Sequence, residues 1–594
     1  MVAKQHSVVH GLPEGLLIQV FLFLSVFLSG TGSLLGQKSP YDPAFSREAA
    51  GIYEKVECFT DRSLYICGEK IRFRANVFNS GVLASGDWST VLYVELISAE
   101  GEPLTQGKYP LRDRKASGNL RIPDHLLSGT YYLRSYTRWM RNRDAEHFSY
   151  VPLRIINPER PELVGEITQE EAGISFPVRE ETKHKPGFGQ HPAIFERGDT
   201  VSMDLMITAD DLQDSPGGCL TVVPYSARPA DLVGEESRDR DAAEDFQLSF
   251  LPDRFGPSLS GTVSYPGSEE EVLKPARIHL TLMGDQIGYF VCRSDASGRF
   301  VIGLPARTGE LEFFVQPESQ DGEAVEVRID QDFDPRMYRL PVPPFALSQE
   351  EARAATIMSR NVQLTKIYSK GLPEAGPHTD GGHESEAFPF YGTPTRSVDL
   401  DLYVLLPTLK EVFLNLVPGV TPVTRRNRTT LQIHSVNPSL SLYAPLVMID
   451  QVPVMDMDKF MAISPAKIKS VDVIEDVYVK GDLRFGGVIN LRSREQDMAG
   501  IDLPENSFFI DYQAMHPSLS GSGDHSTREP FTRGDRVPDT RNTLLWIADL
   551  KIEKGNSTKI SFVAPDYPGD YLVLFRGQNA GGELVVAETK FRVR

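Results

Sequence analysis

The sequence has few long apolar runs, and it carries less positive than negative charge. Beyond residue 36, no stretch approaches the roughly 18–20 apolar residues of a membrane-spanning helix, so we predict no transmembrane helix in the mature chain. Lys and Arg number 62 against 81 Asp and Glu, a net charge of −19 over 594 residues. That balance argues against a nucleic-acid partner, which requires a basic surface, and against adsorption to anionic lipid. We therefore expect peripheral contact with a membrane or no direct contact.

Cysteine is scarce as well, with four residues: Cys58, Cys67, Cys219 and Cys292. Cys58 and Cys67 lie on either side of a predicted turn. They could form a disulfide in an oxidising compartment, or they could remain two buried thiols. Cys219 and Cys292 fall in different predicted domains and are expected to be core residues.

Sequence signatures of catalysis are absent too. No Gly-x-Ser-x-Gly elbow, His-Glu-x-x-His pair, phosphate-binding loop or dinucleotide-binding fingerprint occurs. Five acidic residues gather late in the chain without EF-hand spacing, and we interpret them as solvated surface charge rather than a calcium site: Asp456, Asp458, Glu475, Asp476 and Asp482. We predict that the protein is not an enzyme and has no catalytic residue, no metal-binding residue and no cofactor.

Residues 1–36 are predicted to be an export signal. Residues 16–28 form an apolar run that suits the core of a signal peptide and is too short to span a bilayer. Small residues follow, and cleavage is predicted between Gly36 and Gln37. No cysteine precedes Cys58, so a lipoprotein attachment site is absent. The mature chain is therefore expected to be exported.

Alternation of apolar and polar residues, with a period of two, dominates the mature chain. Ile71, Phe73, Ala75 and Val77 fall on one face of a strand over residues 70–78. Similar short runs, separated by turn residues, recur along the sequence. The pattern predicts a mainly β fold of tandem β-sandwiches, with one small α+β domain.

The first of these regions resembles a known domain. Residues 53–61 (Tyr-Glu-Lys-Val-Glu-Cys-Phe-Thr-Asp), 65–69 (Tyr-Ile-Cys-Gly-Glu) and 128–133 (Ser-Gly-Thr-Tyr-Tyr-Leu) resemble the macroglobulin-type domain of α2-macroglobulin-like proteins. The resemblance implies a macroglobulin-like β-sandwich over residues 48–156, and a second, weaker one over residues 157–250.

One tetrapeptide in this region is similar to a reactive motif. Thioester-bearing macroglobulins carry Cys-Gly-Glu-Gln, in which the cysteine bonds to the glutamine side chain. In this chain the motif is Cys67-Gly68-Glu69-Lys70. Because Lys70 replaces the acyl-donating glutamine, we expect no thioester.

Three further regions complete the predicted domain order. The turn at residues 295–300 (Asp-Ala-Ser-Gly-Arg-Phe) resembles the carboxypeptidase regulatory-like domain, a transthyretin-like β-sandwich, which is predicted over residues 256–342. Residues 343–399 are predicted to be a linker with a short helix. Residues 498–594 read as a C-terminal macroglobulin-like or immunoglobulin-like sandwich.

The α+β domain, at residues 400–497, resembles the plug domain of TonB-dependent outer-membrane receptors. Four segments in order carry that resemblance: 446–450, 456–468, 471–475 and 486–492. A receptor of that kind closes its plug inside a barrel of about 22 strands, each of roughly 9–11 residues. Residues 498–594 are too few to form such a barrel.

These features predict a non-catalytic, exported, multidomain binding or scaffold protein of the Gram-negative cell envelope. We expect it in the periplasm, at the outer membrane or on the cell surface, with the plug-like module docked to a protein partner at the outer membrane or to a ligand. Two alternatives remain. One is a macroglobulin-like protein that contacts proteases without a thioester, and the other is an accessory component of TonB-linked outer-membrane transport.

Overall fold

A computed structural model describes residues 46–47, 49–80, 88–160, 165–166, 187–207, 217–231, 246–267, 275–320, 322–343, 345–368, 389–425, 428–518, 539–552, 557–578 and 584–594. The strands and helices described below belong to the unit formed by residues 49–594. The predicted cleavage site at Gly36 and Gln37 lies outside the described residues. Within the described ranges, no helix is both long and apolar enough to cross a bilayer.

The structure is mainly β, as the sequence predicts. Up to residue 343 the strands are β1 (Tyr53–Thr60), β2 (Leu64–Ile66), β3 (Lys70–Ser80), β4 (Val91–Ser98), β5 (Pro103–Pro110), β6 (Lys115–Arg121), β7 (Gly129–Thr137), β8 (Ser149–Ile156), β9 (Gly165–Glu166), β10 (Gly187–Phe188), β11 (Ile194–Phe195), β12 (Thr200–Met206), β13 (Gly217–Pro224), β14 (Ser258–Ser264), β15 (Arg277–Leu282), β16 (Gly288–Arg293), β17 (Arg299–Gly303), β18 (Glu310–Glu318) and β19 (Glu326–Ile329).

The later strands are β20 (Ala346–Leu347), β21 (Arg396–Asp399), β22 (Val420–Arg425), β23 (Arg428–Ile433), β24 (Leu446–Ile449), β25 (Val452–Pro453), β26 (Ile468–Ile474), β27 (Tyr478–Lys480), β28 (Leu483–Phe485), β29 (Val488–Ser493), β30 (Phe508–Gln513), β31 (Leu545–Lys551), β32 (Thr558–Val563), β33 (Gly569–Gln578) and β34 (Leu584–Val593). The α-helices of the described residues are α1 (Gln349–Tyr368), α2 (Leu409–Asn415) and α3 (Met457–Met461).

The first sandwich packs the sheet β1-β3-β6 against the sheet β2-β8-β7-β4-β5 around one apolar core. Ile71, Phe73, Ala75 and Val77 of β3 point into that core, which confirms the predicted alternation. The opposite face of β3 is also covered, because Arg74 Nη1 donates to the Ala548 carbonyl at 2.8 Å. A face that alternation alone marks as polar is thus buried between two sandwiches.

The second sandwich packs β17-β14-β19 against β16-β15-β18-β30. Its edge strand β30 comes from the region predicted to form the C-terminal sandwich, so the predicted boundaries at residues 342 and 498 need correction. The pairing is antiparallel and joins Phe313 of β18 to Ile510 of β30. A strand pattern fixes which residues face the core, but it does not specify a partner strand far away in the chain.

The third sandwich corrects the predicted domain order further. Its sheets are β10-β12-β32 and β11-β34-β33-β13-β31, and they enclose a single core. Strands from the regions predicted as separate sandwiches, at residues 157–250 and 498–594, therefore alternate within one sandwich. β13 lies between β33 and β31, so neither region completes a sheet without the other.

The domain predicted at residues 400–497, which we name the module, begins at β21 and is α+β, as expected. Its five-stranded sheet has the order β21-β26-β29-β24-β25, with β24 and β29 parallel. The helices α2 and α3 and the β22–β23 hairpin pack on this sheet. The Oγ1 atom of Thr408 accepts the N–H of Glu411 and caps α2. Asp456 caps α3 in the same way.

Helix α1 lies in the predicted linker and packs against the first sandwich. Ala354, Ala355 and Met358 contact Leu64 and Ile156 in a small apolar cluster. The helix extends well beyond the short helix expected at this position, and it fixes the linker onto the sandwich surface.

Four buried arginines, which we name the arginine ladder, follow one another along the first sandwich: Arg134, Arg138, Arg141 and Arg143. They lie on β7 and on the 3-10 helix and turn that follow it. Each donates hydrogen bonds to main-chain carbonyl groups outside β7.

The carbonyl acceptors of the arginine ladder belong to three segments outside β7. Arg134 reaches the carbonyl oxygens of Asp334 and Arg336, both at 2.9 Å. Arg138 reaches Ser258 O at 3.1 Å. Arg141 reaches Asp332 O at 2.7 Å, and Arg143 reaches Ala50 O at 2.8 Å. The ladder thus fixes residues 332–336 and the start of the second sandwich to the first sandwich.

Candidate docking surface

Residues 402–405, which we name the apolar segment, expose four consecutive apolar side chains just before α2. Leu402 is 78% exposed and Val404 is 86% exposed. Val404 and Leu405 belong to no helix or strand, so their main-chain groups lie outside every sheet ladder. A contiguous exposed apolar run of this kind is typical of a contact surface.

The module holds both ends of the apolar segment in place. Leu400 and Leu406 pack against the module's core on either side of it. The Asp399 carboxylate accepts the N–H of Asp401 at 2.9 Å and caps the 3-10 helix Leu400–Leu402. The segment is therefore anchored at its ends while its middle faces solvent.

Arg494, which directly follows β29, also anchors the apolar segment. Arg494 donates from Nη2 to Asp401 Oδ1 at 2.6 Å, and from Nε to the Ala466 carbonyl at 2.9 Å. The hydrogen bond from Arg494 holds the pKa of the Asp401 carboxyl below its usual value. The pair is exposed, so we expect it to orient the segment rather than to add much stability.

A left-handed backbone turn supports this end of the sheet. Met498, Ala499 and Gly500 have φ values of 58°, 54° and 68°, a region that costs a non-glycine residue about 1–2 kcal/mol. Two bonds offset that cost: the Met498 N–H donates to Asp450 Oδ2 at 2.9 Å, and Lys467 Nζ donates to Ala499 O at 2.8 Å. Such strain persists only where the surroundings hold the backbone in place.

Two of the five acidic residues singled out in the sequence form hydrogen bonds within the module. Asp456 accepts the N–H groups of Asp458 and Lys459, each at 3.0 Å. Glu475 Oε1 accepts two hydrogen bonds from Arg396 at 3.1 Å. In the part of the chain that the structure describes, no three His, Cys, Asp or Glu residues form a group suited to a metal ion.

Cys58 and Cys67 are free thiols in the structure, and both are buried. Burial raises the pKa of Cys58 to about 12 and that of Cys67 to about 11. The Cys67 thiol donates to the Leu126 carbonyl at 3.4 Å. Of the two alternatives open from the sequence, the structure contains the buried thiols rather than the disulfide.

The thioester-like tetrapeptide has a structural role at a domain joint. Glu69 accepts hydrogen bonds from Arg62 at 2.8 Å and from Asn542 of the third sandwich at 2.7 Å. Lys70 is exposed at the start of β3. Glu69 thus links the first sandwich to the third.

Sequence reasoning did not single out the apolar segment. Its signal is a run of five apolar residues, Leu-Tyr-Val-Leu-Leu at 402–406, between Asp401 and Pro407. Such a run equally suits a buried strand. Only the structure separates its exposed members from Leu406, which packs inward.

No protein-family model and no curated protein matches the chain. Among solved structures, it is similar to a Salmonella α2-macroglobulin reacted with methylamine (8% identity, 91% of this chain, 39% of that chain, TM-score 0.22). It is also similar to an Escherichia coli α2-macroglobulin activated by porcine elastase (9% identity, 91% of this chain, 44% of that chain, TM-score 0.22). A third similar structure is dimeric latent PorU from Porphyromonas gingivalis (9% identity, 46% of this chain, 33% of that chain, TM-score 0.14). The chain spans 39% and 44% of the two macroglobulins. TM-scores this low carry no argument about fold or function.

Proposed function

We propose that the protein is an exported, non-catalytic scaffold of a Gram-negative cell envelope, and that its plug-like module docks onto a protein partner at the outer membrane. The observation that carries this proposal is the apolar segment, whose side chains face solvent although both of its ends are anchored. The export signal predicted in residues 1–36 and the plug-like pattern of residues 446–492 support the location.

The chemistry of the segment favours a protein partner over lipid. Val404 and Leu405 belong to no helix or strand. Insertion into hydrocarbon would therefore leave their N–H and C=O groups without hydrogen-bond partners. A partner protein can supply those hydrogen bonds, for example by pairing an edge strand with this stretch of backbone. The net charge of −19 also opposes approach to anionic lipid.

The rest of the chain suits a scaffold. The arginine ladder and Glu69 connect three sandwiches through buried and partly buried hydrogen bonds. A rigid assembly of this kind holds a docking module at a defined position, and sandwich loops and edges offer further recognition surfaces.

Site-specific photocrosslinking in intact envelopes tests the proposal. A photoreactive residue at position 404 of the full chain is expected to crosslink one protein of the outer-membrane fraction. The same residue at position 342, where Val342 is also strongly exposed but lies outside the module, serves as the matched control and should not capture that protein. Val404→Asp should abolish co-purification of the same protein, whereas Val342→Asp should not.

Three outcomes would overturn the proposal. They are equal capture at positions 342 and 404, crosslinks from position 404 to lipid alone, and undiminished co-purification with Val404→Asp. Crosslinks to lipid would instead favour direct membrane contact by the apolar segment.

A further inference from the structure

A lysine, an aspartate and aromatic rings meet in the joint that the arginine ladder organises. Lys108 of β5 forms an ion pair with Asp332, which lies in the segment after β19. The Lys108 side chain is 1% exposed and that of Asp332 is 17% exposed. The pair therefore joins the first sandwich to the segment that follows β19 of the second sandwich, in a site nearly closed to water.

Aromatic side chains surround the amine. Lys108 Nζ lies 3.8 Å from the centre of the Tyr512 ring and 5.9 Å from that of Phe333. Tyr93 packs edge-on against Phe333 at 5.5 Å. The amine and its partner carboxylate are thus held together in surroundings of low dielectric, which disfavour the charged form of the amine.

A second carboxylate completes the cluster. Asp253 is fully buried, and Tyr93 donates to its Oδ2 at 2.8 Å. Tyr93 also packs against Phe333, which lies beside the Lys108 amine, so Asp253 belongs to the same cluster of side chains. Burial lowers the pKa of the Lys108 ammonium, although Asp332 opposes that shift. Burial also raises the pKa of Asp253, which Arg138 opposes.

We propose that Lys108 and Asp332 form an intramolecular isopeptide bond, with Asp253 as the proton-transferring residue that promotes it. Two features carry the inference. The nucleophile and the acyl carbon belong to one buried contact, and Tyr93, which packs against Phe333 beside that contact, donates to a second buried carboxylate, that of Asp253. No added enzyme, oxidant or cofactor is required.

The reaction balances as a condensation. Proton transfer within the ion pair gives a neutral amine on Lys108 and a carboxylic acid on Asp332. Nζ attacks Cγ of Asp332, a C–N bond forms, and the tetrahedral intermediate then loses its hydroxyl group. Asp253 takes a proton from the nitrogen and delivers one to the departing oxygen, as a general base and then a general acid. The products are one amide and one water.

The mass of the intact, reduced mature protein tests the proposal. The wild-type chain is expected to be lighter than its sequence mass by one water. A tryptic peptide should join the segments around residues 108 and 332, and trypsin should not cleave after Lys108. Lys108→Arg keeps the positive charge but cannot complete the condensation, so that variant should have its full sequence mass and migrate more slowly on a denaturing gel.

The chain contains an internal control, the exposed ion pair of Lys366 with Asp124 at 2.7 Å. That pair lacks burial and should yield separate, unmodified peptides from the same digest. Asp253→Asn should retain Lys108 and Asp332 but show the full sequence mass. A wild-type chain of full mass, with residues 108 and 332 in separate peptides, would overturn the crosslink. A crosslinked Asp253→Asn chain would overturn the role given to Asp253.

Discussion

The arginine ladder buries charged side chains, whereas the apolar segment exposes apolar ones. In the ladder, four cationic side chains are buried, and each donates to main-chain carbonyl groups. In the apolar segment, four apolar side chains are exposed beside an exposed ion pair. Isolated exposed apolar residues are ordinary, but a consecutive run is not. The difference indicates that the first region fixes domain geometry and that the second is available for contact.

The largest effect should come from breaking the ladder at Arg134. Its Nε donates to Glu95 Oε2 at 2.6 Å, and both side chains are almost fully buried. Arg134→Ala leaves Glu95 buried without its cation and removes two bonds to residues 334 and 336. We expect a loss of about 3–5 kcal/mol in the free energy of unfolding, measured by urea denaturation.

Arg121 is the matched control for that substitution. It forms an exposed ion pair with Asp124 at 3.2 Å, so Arg121→Ala should change stability by less than about 1 kcal/mol. Equal losses in the two variants would show that burial of the ladder has no energetic consequence, and the contrast with the exposed segment would then fail.

A second substitution tests a buried acid that accepts hydrogen bonds from hydroxyl groups instead of a guanidinium. Glu54 Oε2 accepts hydrogen bonds from Ser89 and Thr137, and burial raises its pKa from 4.5 to about 7. The folded state therefore favours the protonated form. The stability it contributes is fully present below pH 4.5 and is lost as the pH rises through about 7.

Glu54→Gln removes this titration and keeps an acceptor for the hydroxyl groups. Relative to that variant, the wild-type protein should lose about 3 kcal/mol of stability between pH 4.5 and pH 8. Paired denaturation curves across this range measure the difference. A difference that does not change with pH would show that Glu54 has an ordinary pKa in the folded protein.

The sequence predicted strand faces and helix caps correctly, because these features depend on residues that are close together in the chain. Alternation in β3 located the inward-facing side chains correctly, and Thr408 and Asp456 cap helices at the predicted positions. Each of these features depends on residues a few positions apart, so one stretch of sequence contains the whole determinant.

Features that depend on distant partners could not be predicted in this way. β12 pairs with β32, and β18 pairs with β30. Either strand could satisfy its alternation in several sheets, because the period-two pattern specifies a face and not a neighbour. The arginines of the ladder likewise bind carbonyl groups, which every residue carries, so their spacing gives no sign of their acceptors.

The smallest effect on stability is expected in the apolar segment, where the largest effect on binding is proposed. Val404 is 86% exposed and lies outside every helix and strand, so Val404→Asp removes little packing. It should change the free energy of unfolding by less than about 0.5 kcal/mol. Leu409→Asp, at a fully buried position of α2, is the contrasting variant and should unfold the module. If Val404→Asp destabilised the module as strongly, the segment would be part of its core, and the proposed division between a fixed joint and an available surface would be wrong.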